Sequence, residues 1–366
     1  MQEIFYFGAG PAALPGPVLA KIRQEFLDYR GSGLSVVELP HRGEAFLEIR
    51  DTAEALLREL LQVPDDYAVL FMHGGATSQF SMLPLNFLGP GRLADYVHTG
   101  HWSLKASAEA KRLADIREIH ALRQGESLRI APQHEWSLSP NATYVHYCDN
   151  ETVNGIAFPG VPDVHRGLLA CDMTSSILMR PLEVDRFAII YAGTQKNLGI
   201  AGLCVVIIRK DLLDATNERV PRLYDYRRCA RERSLVNTPP VFAIYVLQGM
   251  LDWVKGQGGV HAMHERSQRR SALLYQAIDA SRLYTNRVAD EFRSKINIPF
   301  EIQDAGLHEV FVREAEQNRL FGLRGHSSTG GIRASLYNAM PDAGVEHLVE
   351  FMCNFEAGFG ASPIKR

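Results

Sequence analysis

No Cys-x-x-Cys pair occurs in this chain, and its five cysteines, at positions 148, 171, 204, 229 and 353, are odd in number and far apart. That spacing argues against a structural zinc site and against a disulfide framework. Cys148, Cys171 and Cys204 lie in or beside apolar runs, as buried free thiols do, so a reducing cytoplasm is expected and no metal is. Long hydrophobic runs are missing as well. Stretches such as Leu203 to Ile208 are of strand length, far short of a membrane span. The first residues show no basic segment followed by an unbroken apolar stretch, so no secretory signal is expected. Charge of one sign is not concentrated anywhere: 39 Lys and Arg against 42 Asp and Glu leave a formal net charge of −3. Neither a nucleic-acid groove nor a polybasic membrane patch is expected from that balance. An anionic ligand would need a local cluster of cations. A Gly-x-Gly-x-x-Gly fingerprint and a Walker lysine are both absent, which disfavours a dinucleotide.

What is present is an ordinary globular composition, 46% hydrophobic and 22% charged, over 366 residues. That length exceeds the usual size of one core and predicts two lobes. Helices are expected over 17–30 and 44–62. Short apolar runs at 68–72, 92–98, 116–121, 144–148, 168–172, 187–192 and 203–208 read as strands. They show little alternation, as strands covered on both faces do, so the fold class is α/β with a mostly parallel sheet. Beyond about residue 255 the texture changes. A long amphipathic helix (260–278) precedes alternating, strand-like segments at 295–300 and 309–313, and a final helix (345–357) follows. The expected division is a large α/β domain over 16–255 and a small α+β domain over 256–366, joined by the N-terminal 1–15.

Three stretches carry chemistry. The run Phe187-Ala-Ile-Ile-Tyr-Ala-Gly-Thr-Gln-Lys-Asn-Leu-Gly ends an apolar strand in a small-residue turn that presents Lys196. A lysine beside apolar walls has a lowered pKa and attacks carbonyls, although a surface lysine closing a hairpin gives the same pattern. The strand before it ends in Asp172, which suits a partner for a pyridinium nitrogen and equally an N-cap for Thr174 to Ser176. Upstream, His73-Gly-Gly-Ala-Thr-Ser-Gln-Phe follows a strand and opens a helix. Its small residues and unpaired N–H groups fit a single phosphate, or simply a tight turn. Ligands of open α/β sheets bind outside the carboxyl ends of the strands, so all three stretches can converge.

The sequence resembles the phosphoserine aminotransferase family, class V, fold-type-I pyridoxal-phosphate enzymes, over essentially its whole length. The motifs that carry the likeness are GPAALP (10–15), HRGEAF (41–46), GGATSQF (74–80), TGHWS (99–103), NETVNG (150–155), DMTSS (172–176), YAGTQKN (191–197), NTPPVF (237–242) and GHSSTGGIRASLYNAM (325–340). The resemblance implies a seven-stranded-type sheet, a pyridoxal 5′-phosphate cofactor and a homodimer with shared sites. It implies that Lys196 holds the cofactor covalently and moves the substrate Cα proton, and that Asp172 keeps the pyridine nitrogen protonated. Trp102 would stack on the ring and Thr152 would donate to its phenolic oxygen. Ala76, Thr77 and Gln195 would bind the phosphate, joined by Asn237 and Thr238 from the neighbouring subunit. Arg333 would clamp the substrate α-carboxylate, with His41, Arg42 and His326 meeting its distal phosphate or carboxylate.

The implied reaction moves the amino group of glutamate to 3-phosphohydroxypyruvate, giving O-phosphoserine and 2-oxoglutarate in serine biosynthesis. The homologous 3-hydroxy-2-oxo-4-phosphobutanoate, on the route to pyridoxine, is a second implied substrate. Where the family reads Gly-His-Arg, this chain has Gly325-His326-Ser327, so one cation for the phosphate is missing. Arg324 or Arg42 could compensate. The departure keeps open a class V alanine–glyoxylate or serine–pyruvate transaminase; a non-catalytic phosphometabolite-binding protein is a further alternative, against which Lys196 and Asp172 argue.

Overall fold

The apolar runs form strands buried on both faces, except the run expected at 116–121, whose strand Asp115–His120 lies at the sheet edge with only Ile119 buried. A computed structural model of the chain describes residues 3–164 and 168–359. In it a seven-stranded sheet has the spatial order Tyr67–His73, Leu203–Arg209, Ile189–Gly193, Leu168–Asp172, Ala142–Cys148, Leu93–His98 and Asp115–His120. Successive residues of each strand point to opposite faces, so each strand feeds two cores. Val69, Phe71, Val145, Tyr147, Leu169, Cys171, Ile190, Val205 and Ile207 enter one core, with residues of helices Glu44–Leu61 and Val241–Gly256. Leu70, Met72, Tyr96, Tyr144, Ala170, Ile189, Cys204 and Val206 enter the other, with residues of helices Gly75–Phe87 and His101–Ala110.

All neighbours pair in parallel except Leu203–Arg209, which runs antiparallel to both Ile189–Gly193 and Tyr67–His73. Its composition does not distinguish it from the other strands. The reversal follows from the short link between Gly193 and Leu203, since a parallel return needs a crossover of a dozen or more residues. That link is the turn that carries Lys196. The remaining strands share one direction, so their carboxyl ends lie along one edge of the sheet.

A second core lies under a four-stranded antiparallel sheet ordered Tyr284–Thr285, Asn297–Ile302, Gly330–Ser335 and Arg324–His326. Ile298, Phe300, Phe311, Ile332, Leu348 and Phe355 fill it, and Phe5 and Phe7 of the N-terminal segment join them. The helix Gly259–Ala280 links the two cores: Val260 and Met263 pack into the first, Leu274, Tyr275 and Ile278 into the second.

Two sequence expectations are corrected. Residues 309–313, read as strand-like, lie in the helix His308–Gln317, where Phe311, Val312 and Ala315 are buried at helical rather than alternate spacing. The helix expected over 17–30 ends at Glu25, and the chain then bends into a short 3-10 turn, Tyr29–Gly31, with Arg30 at φ 52°. All five cysteines are free, four of them buried and Cys353 exposed. Among the described residues no helix is long and apolar enough to cross a membrane, and no group of His, Cys, Asp and Glu could hold a metal ion. Residues 1–2 and 360–366 of the expected small domain lie outside the described residues.

Candidate active site

Five strand ends on the shared edge of the large sheet lead into one cavity of about 490 Å³. Ala76, Thr77, Trp102, Thr152, Asp172, Gln195, Lys196, His326 and Arg333 line it together. The first seven lie at or just beyond strand ends of the large sheet; His326 and Arg333 come from the four-stranded sheet of the other lobe. His41, Arg42, Asn237 and Thr238 do not line it. In this single chain His41 is half-buried and the other three are exposed.

Lys196 is 7% exposed and its amine makes no hydrogen bond among the described residues, its Nζ lying 5.6 Å from the centre of the Trp102 ring. Burial pulls its pKa down to about 8, helped by Arg333, while Asp172, Cys148 and Glu151 pull the other way. An amine in that state is largely neutral at mildly basic pH and available as a nucleophile or proton acceptor. Asn197, beside it, is tied down on both sides. Its Nδ2 donates to the carbonyls of Ser175 (3.0 Å) and Ile177 (3.1 Å), and its Oδ1 accepts from the N–H of Asn338 (3.0 Å). Gly10 makes room on the other flank, where a Cβ would stand 3.6 Å from the Lys196 Cε, and its φ of 143° is one that glycine adopts freely.

Asp172 closes its strand and is 8% exposed. It caps the following turn, accepting the Thr174 N–H at 2.8 Å, and it also faces the cavity. Burial pushes its carboxyl up, against the opposing pull of Thr174 and Lys196. A cationic partner in the cavity would hold it ionised.

The helix Gly75–Phe87 presents its N-terminus to the same space and has no side-chain cap. Gly74 (φ 92°) and Gly75 (φ 67°) turn the chain sharply enough for that. A Cβ on Gly193 would meet the Gln195 Oε1 at 2.5 Å and the Ala76 backbone nitrogen at 3.1 Å. Glycine there brings the Gln195 amide against the start of the helix, beside N–H groups that have no partner within it.

Trp102 is held by residues that the sequence reading passed over. The fully buried Glu151 carboxylate accepts from the N–H groups of Trp102 (2.8 Å) and Ser103 (2.9 Å) and from the Ser103 hydroxyl (2.7 Å). Gly100 permits this, because a Cβ there would strike the Glu151 Cδ at 2.6 Å. The Trp102 Nε1 donates to the Thr152 Oγ1 at 2.8 Å, and the Arg333 Nη1 donates to the Thr152 carbonyl at 2.9 Å. Asn150 completes the link between lobes, donating to Ser175 Oγ (2.9 Å) and Asn297 Oδ1 (2.8 Å). The signal available in the sequence was the run Asn150-Glu151-Thr152, three polar residues at the end of an apolar strand. Glu151→Ala leaves buried donors unmet, each costing about 1–3 kcal/mol. The expected result is a loss of roughly 3 kcal/mol in urea unfolding. A change within 0.5 kcal/mol, about the size of an ordinary surface substitution, would show that Glu151 holds nothing together.

Arg333 is largely buried, and burial lowers its pKa. Among the described residues it has no carboxylate partner, which suits a guanidinium kept for an incoming carboxylate.

Comparison with known proteins agrees with this geometry. The class-V aminotransferase family model matches residues 4–348. The phosphoserine aminotransferase of Acinetobacter baumannii (strain ACICU) is 49% identical over 355 residues, covering 97% of this chain and 99% of that protein. Among solved structures, the phosphoserine aminotransferase of Bacillus circulans subsp. alkalophilus superposes with a TM-score of 0.93 at 39% identity, covering 98% of this chain and 99% of that one. The PLP-bound phosphoserine aminotransferase of Trichomonas vaginalis gives 0.92 at 39% identity, over 96% and 100% of the two chains. With a matching fold, matching strand-end motifs and relatives of this identity over nearly its whole length, the chain belongs to the class-V aminotransferase family.

Proposed function

We propose that this chain transfers the amino group of L-glutamate to 3-phosphohydroxypyruvate, giving O-phospho-L-serine and 2-oxoglutarate, with pyridoxal 5′-phosphate as cofactor. The observation that carries the reading is the meeting in one cavity of a buried amine, a buried carboxylate and a bare helix N-terminus, at Lys196, Asp172 and Ala76–Thr77. These groups fit the cofactor by their chemistry. Among the described residues Lys196 has no hydrogen-bond partner to compete for its amine, and Asp172 has no cation beside it other than Lys196. The Gly74–Gly75 turn leaves N–H groups free for a phosphate. When bound, pyridoxal phosphate supplies an electron sink that stabilises negative charge at the substrate Cα and stores the amino group between half-reactions.

The chain's own residues do the rest. The Lys196 amine would hold the cofactor and afterwards take and return the proton at the substrate Cα. Asp172 would keep a proton on its ring nitrogen. Trp102, fixed by Glu151 and Thr152, would offer its indole face to the cofactor, and the Thr152 hydroxyl would serve the phenolic oxygen. Ala76, Thr77 and Gln195 hold the phosphate end, and Arg333 orients the substrate by its α-carboxylate. Glutamate gives up its amino group first, and the phosphorylated keto acid then carries it away from the same pocket. The longer 3-hydroxy-2-oxo-4-phosphobutanoate fits the same scheme, since a pocket discriminates poorly against one added carbon–hydroxyl unit.

The site also calls for a second copy of the chain. His41, Arg42, Asn237 and Thr238 stand outside the single-chain cavity, and three of them face solvent. A homodimer in which each subunit completes the other's site accounts for that placement. The division into a large domain (16–255) and a small one (256–366 with 1–15) is supported by the separate core of Phe300, Phe311 and Leu348, although Val260, Met263 and Val288 pack into the first core, and the substrate would bind between the lobes. The free, mostly buried thiols suit a cytoplasmic enzyme.

A single-turnover assay tests the reading. Protein converted to its amine form with glutamate should react with phosphohydroxypyruvate about a hundredfold faster, in kcat/KM, than with pyruvate or glyoxylate. Faster consumption of pyruvate or glyoxylate would assign the chain to another class V reaction, and no reaction with any keto acid would make it a binding protein.

A further inference from the structure

Three segments that line the cavity are far apart in sequence: residues 9–10 near the N-terminus, residues 150 and 152 of the large lobe, and the strand Gly330–Ser335 that carries Arg333. They are tied together by one side chain that does not line the cavity. Asn297 opens the strand Asn297–Ile302 and is fully buried. Its Oδ1 accepts from Asn150 Nδ2 at 2.8 Å, and its Nδ2 donates to Ser335 Oγ (3.0 Å) and to the Tyr337 hydroxyl (3.2 Å). That hydroxyl in turn donates to the Ala9 carbonyl at 2.7 Å.

The direction of these bonds follows from their first member. Ser294 Oγ accepts the N–H groups of Ile296 (3.1 Å) and Asn297 (3.0 Å), so its own proton is left to donate, and it meets Asn150 Oδ1 at 2.5 Å. Asn150 therefore turns its Nδ2 toward Asn297, and Asn297 turns its Nδ2 toward Ser335 and Tyr337. Only then is the tyrosine proton left for Ala9. Both protons of each amide are used, since Asn150 also donates to Ser175 Oγ. A buried network satisfied in this way holds its members in one arrangement. Backbone pairing adds to it: Asn297 pairs with Ser335, and Pro299, two residues on, pairs with Arg333. The large lobe meets the start of this strand once more, where the Ser294 N–H donates to the Gly155 carbonyl at 2.9 Å.

We propose that Asn297 is a positioning residue: through Asn150, Ser335 and Tyr337 it fixes the strand of Arg333 against the opposite walls, and so sets the affinity for the α-carboxylate that every substrate brings. The proposal rests on the amino-transfer reading above and deepens it. A guanidinium fork binds a carboxylate well only when both are aligned, so a small shift of its strand is felt in binding. The Thr152 carbonyl holds the guanidinium end of Arg333, and Asn297 holds the strand from which it springs.

The test is steady-state kinetics of the cofactor-loaded protein, with glutamate as amino donor in one direction and O-phosphoserine in the other. Asn297→Leu fills the same space but neither gives nor takes a hydrogen bond, and Tyr337→Phe removes only the last link, to Ala9. Each is expected to raise KM for both donors by the same factor, about tenfold, with kcat and cofactor content within about twofold of the wild type. The two donors share the α-carboxylate and differ at the distal group, so an equal factor assigns the effect to Arg333. In an Arg333→Lys background, where the fork is already lost, Asn297→Leu should raise KM hardly further. Unchanged KM values, with kcat and cofactor content falling together, would make Asn297 merely structural and overturn the proposal. Effects that simply multiply with those of Arg333→Lys would overturn it as well. If Asn297→Leu does not fold, Tyr337→Phe alone decides by the same criteria. A wild-type protein that turns over neither donor would overturn the amino-transfer reading and the proposal with it.

Discussion

Lys196→Ala is expected to lower kcat by about 10²–10⁴, the range that a positioned proton-transfer group contributes. It should also leave the protein unable to hold pyridoxal phosphate through a covalent bond. The fold is not expected to suffer. In the unloaded wild type the lysine has a pKa of about 8 against an ordinary 10.5, so the folded state binds this proton less tightly than the unfolded chain. The sign is therefore a penalty. It is fully present below pH 8, amounts to about 3 kcal/mol there, and is relieved as pH rises from 8 toward 10.5. Removing the amine removes that penalty and offsets the small cavity left behind. Thermal unfolding of the unloaded variant near pH 7 should thus match or exceed the wild type while activity is lost. A variant that is inactive because it is unfolded would contradict this separation.

Asp172→Asn should cost less than Lys196→Ala but fall almost wholly on kcat. A neutral amide can accept a hydrogen bond from the ring nitrogen, but it does not hold a proton there as a carboxylate does, and the electron sink weakens. Loss of one such electrostatic contact in a dry site lowers kcat about 10²–10³-fold. The cofactor should stay bound, because Lys196 and the Ala76–Thr77 cradle are untouched. The substitution has a second, independent readout. The Asp172 charge raises the pKa of Lys196, so without it the amine should titrate below about pH 8 in the unloaded protein. The pH profile of Lys196 modification by an aldehyde reagent checks this, and an unchanged profile would mean that the two side chains do not interact.

Much of this site was legible because the sheet places strand ends side by side. Once Ala68 to Met72, Leu168 to Asp172 and Phe187 to Ala192 read as apolar strands of one parallel sheet, Ala76, Asp172 and Lys196 had to share an edge. The direction of Leu203–Arg209 was not legible from its residues, which are apolar throughout like those of its neighbours; only the length of the preceding link reveals it. The strand expected at 309–313 failed because Val310-Phe311-Val312 is a short apolar run that fits a strand or a helix equally, and Ala315 one turn later decides. Glu151 escaped notice for a different reason. The polar run Asn150-Glu151-Thr152 after an apolar strand marks a turn, but nothing in it tells a buried carboxylate that accepts backbone N–H groups from a solvated one. His41, Arg42, Asn237 and Thr238 are conspicuous in sequence yet do not line the cavity of one chain, and only the proposed homodimer would bring them to it.

The central claim concerns which amine reacts. Protein loaded with pyridoxal phosphate and reduced with borohydride should, after digestion and mass mapping, carry the label on the peptide that contains Lys196. A label found instead on Lys105, the other lysine beside Trp102, or on any lysine at the surface would contradict the account.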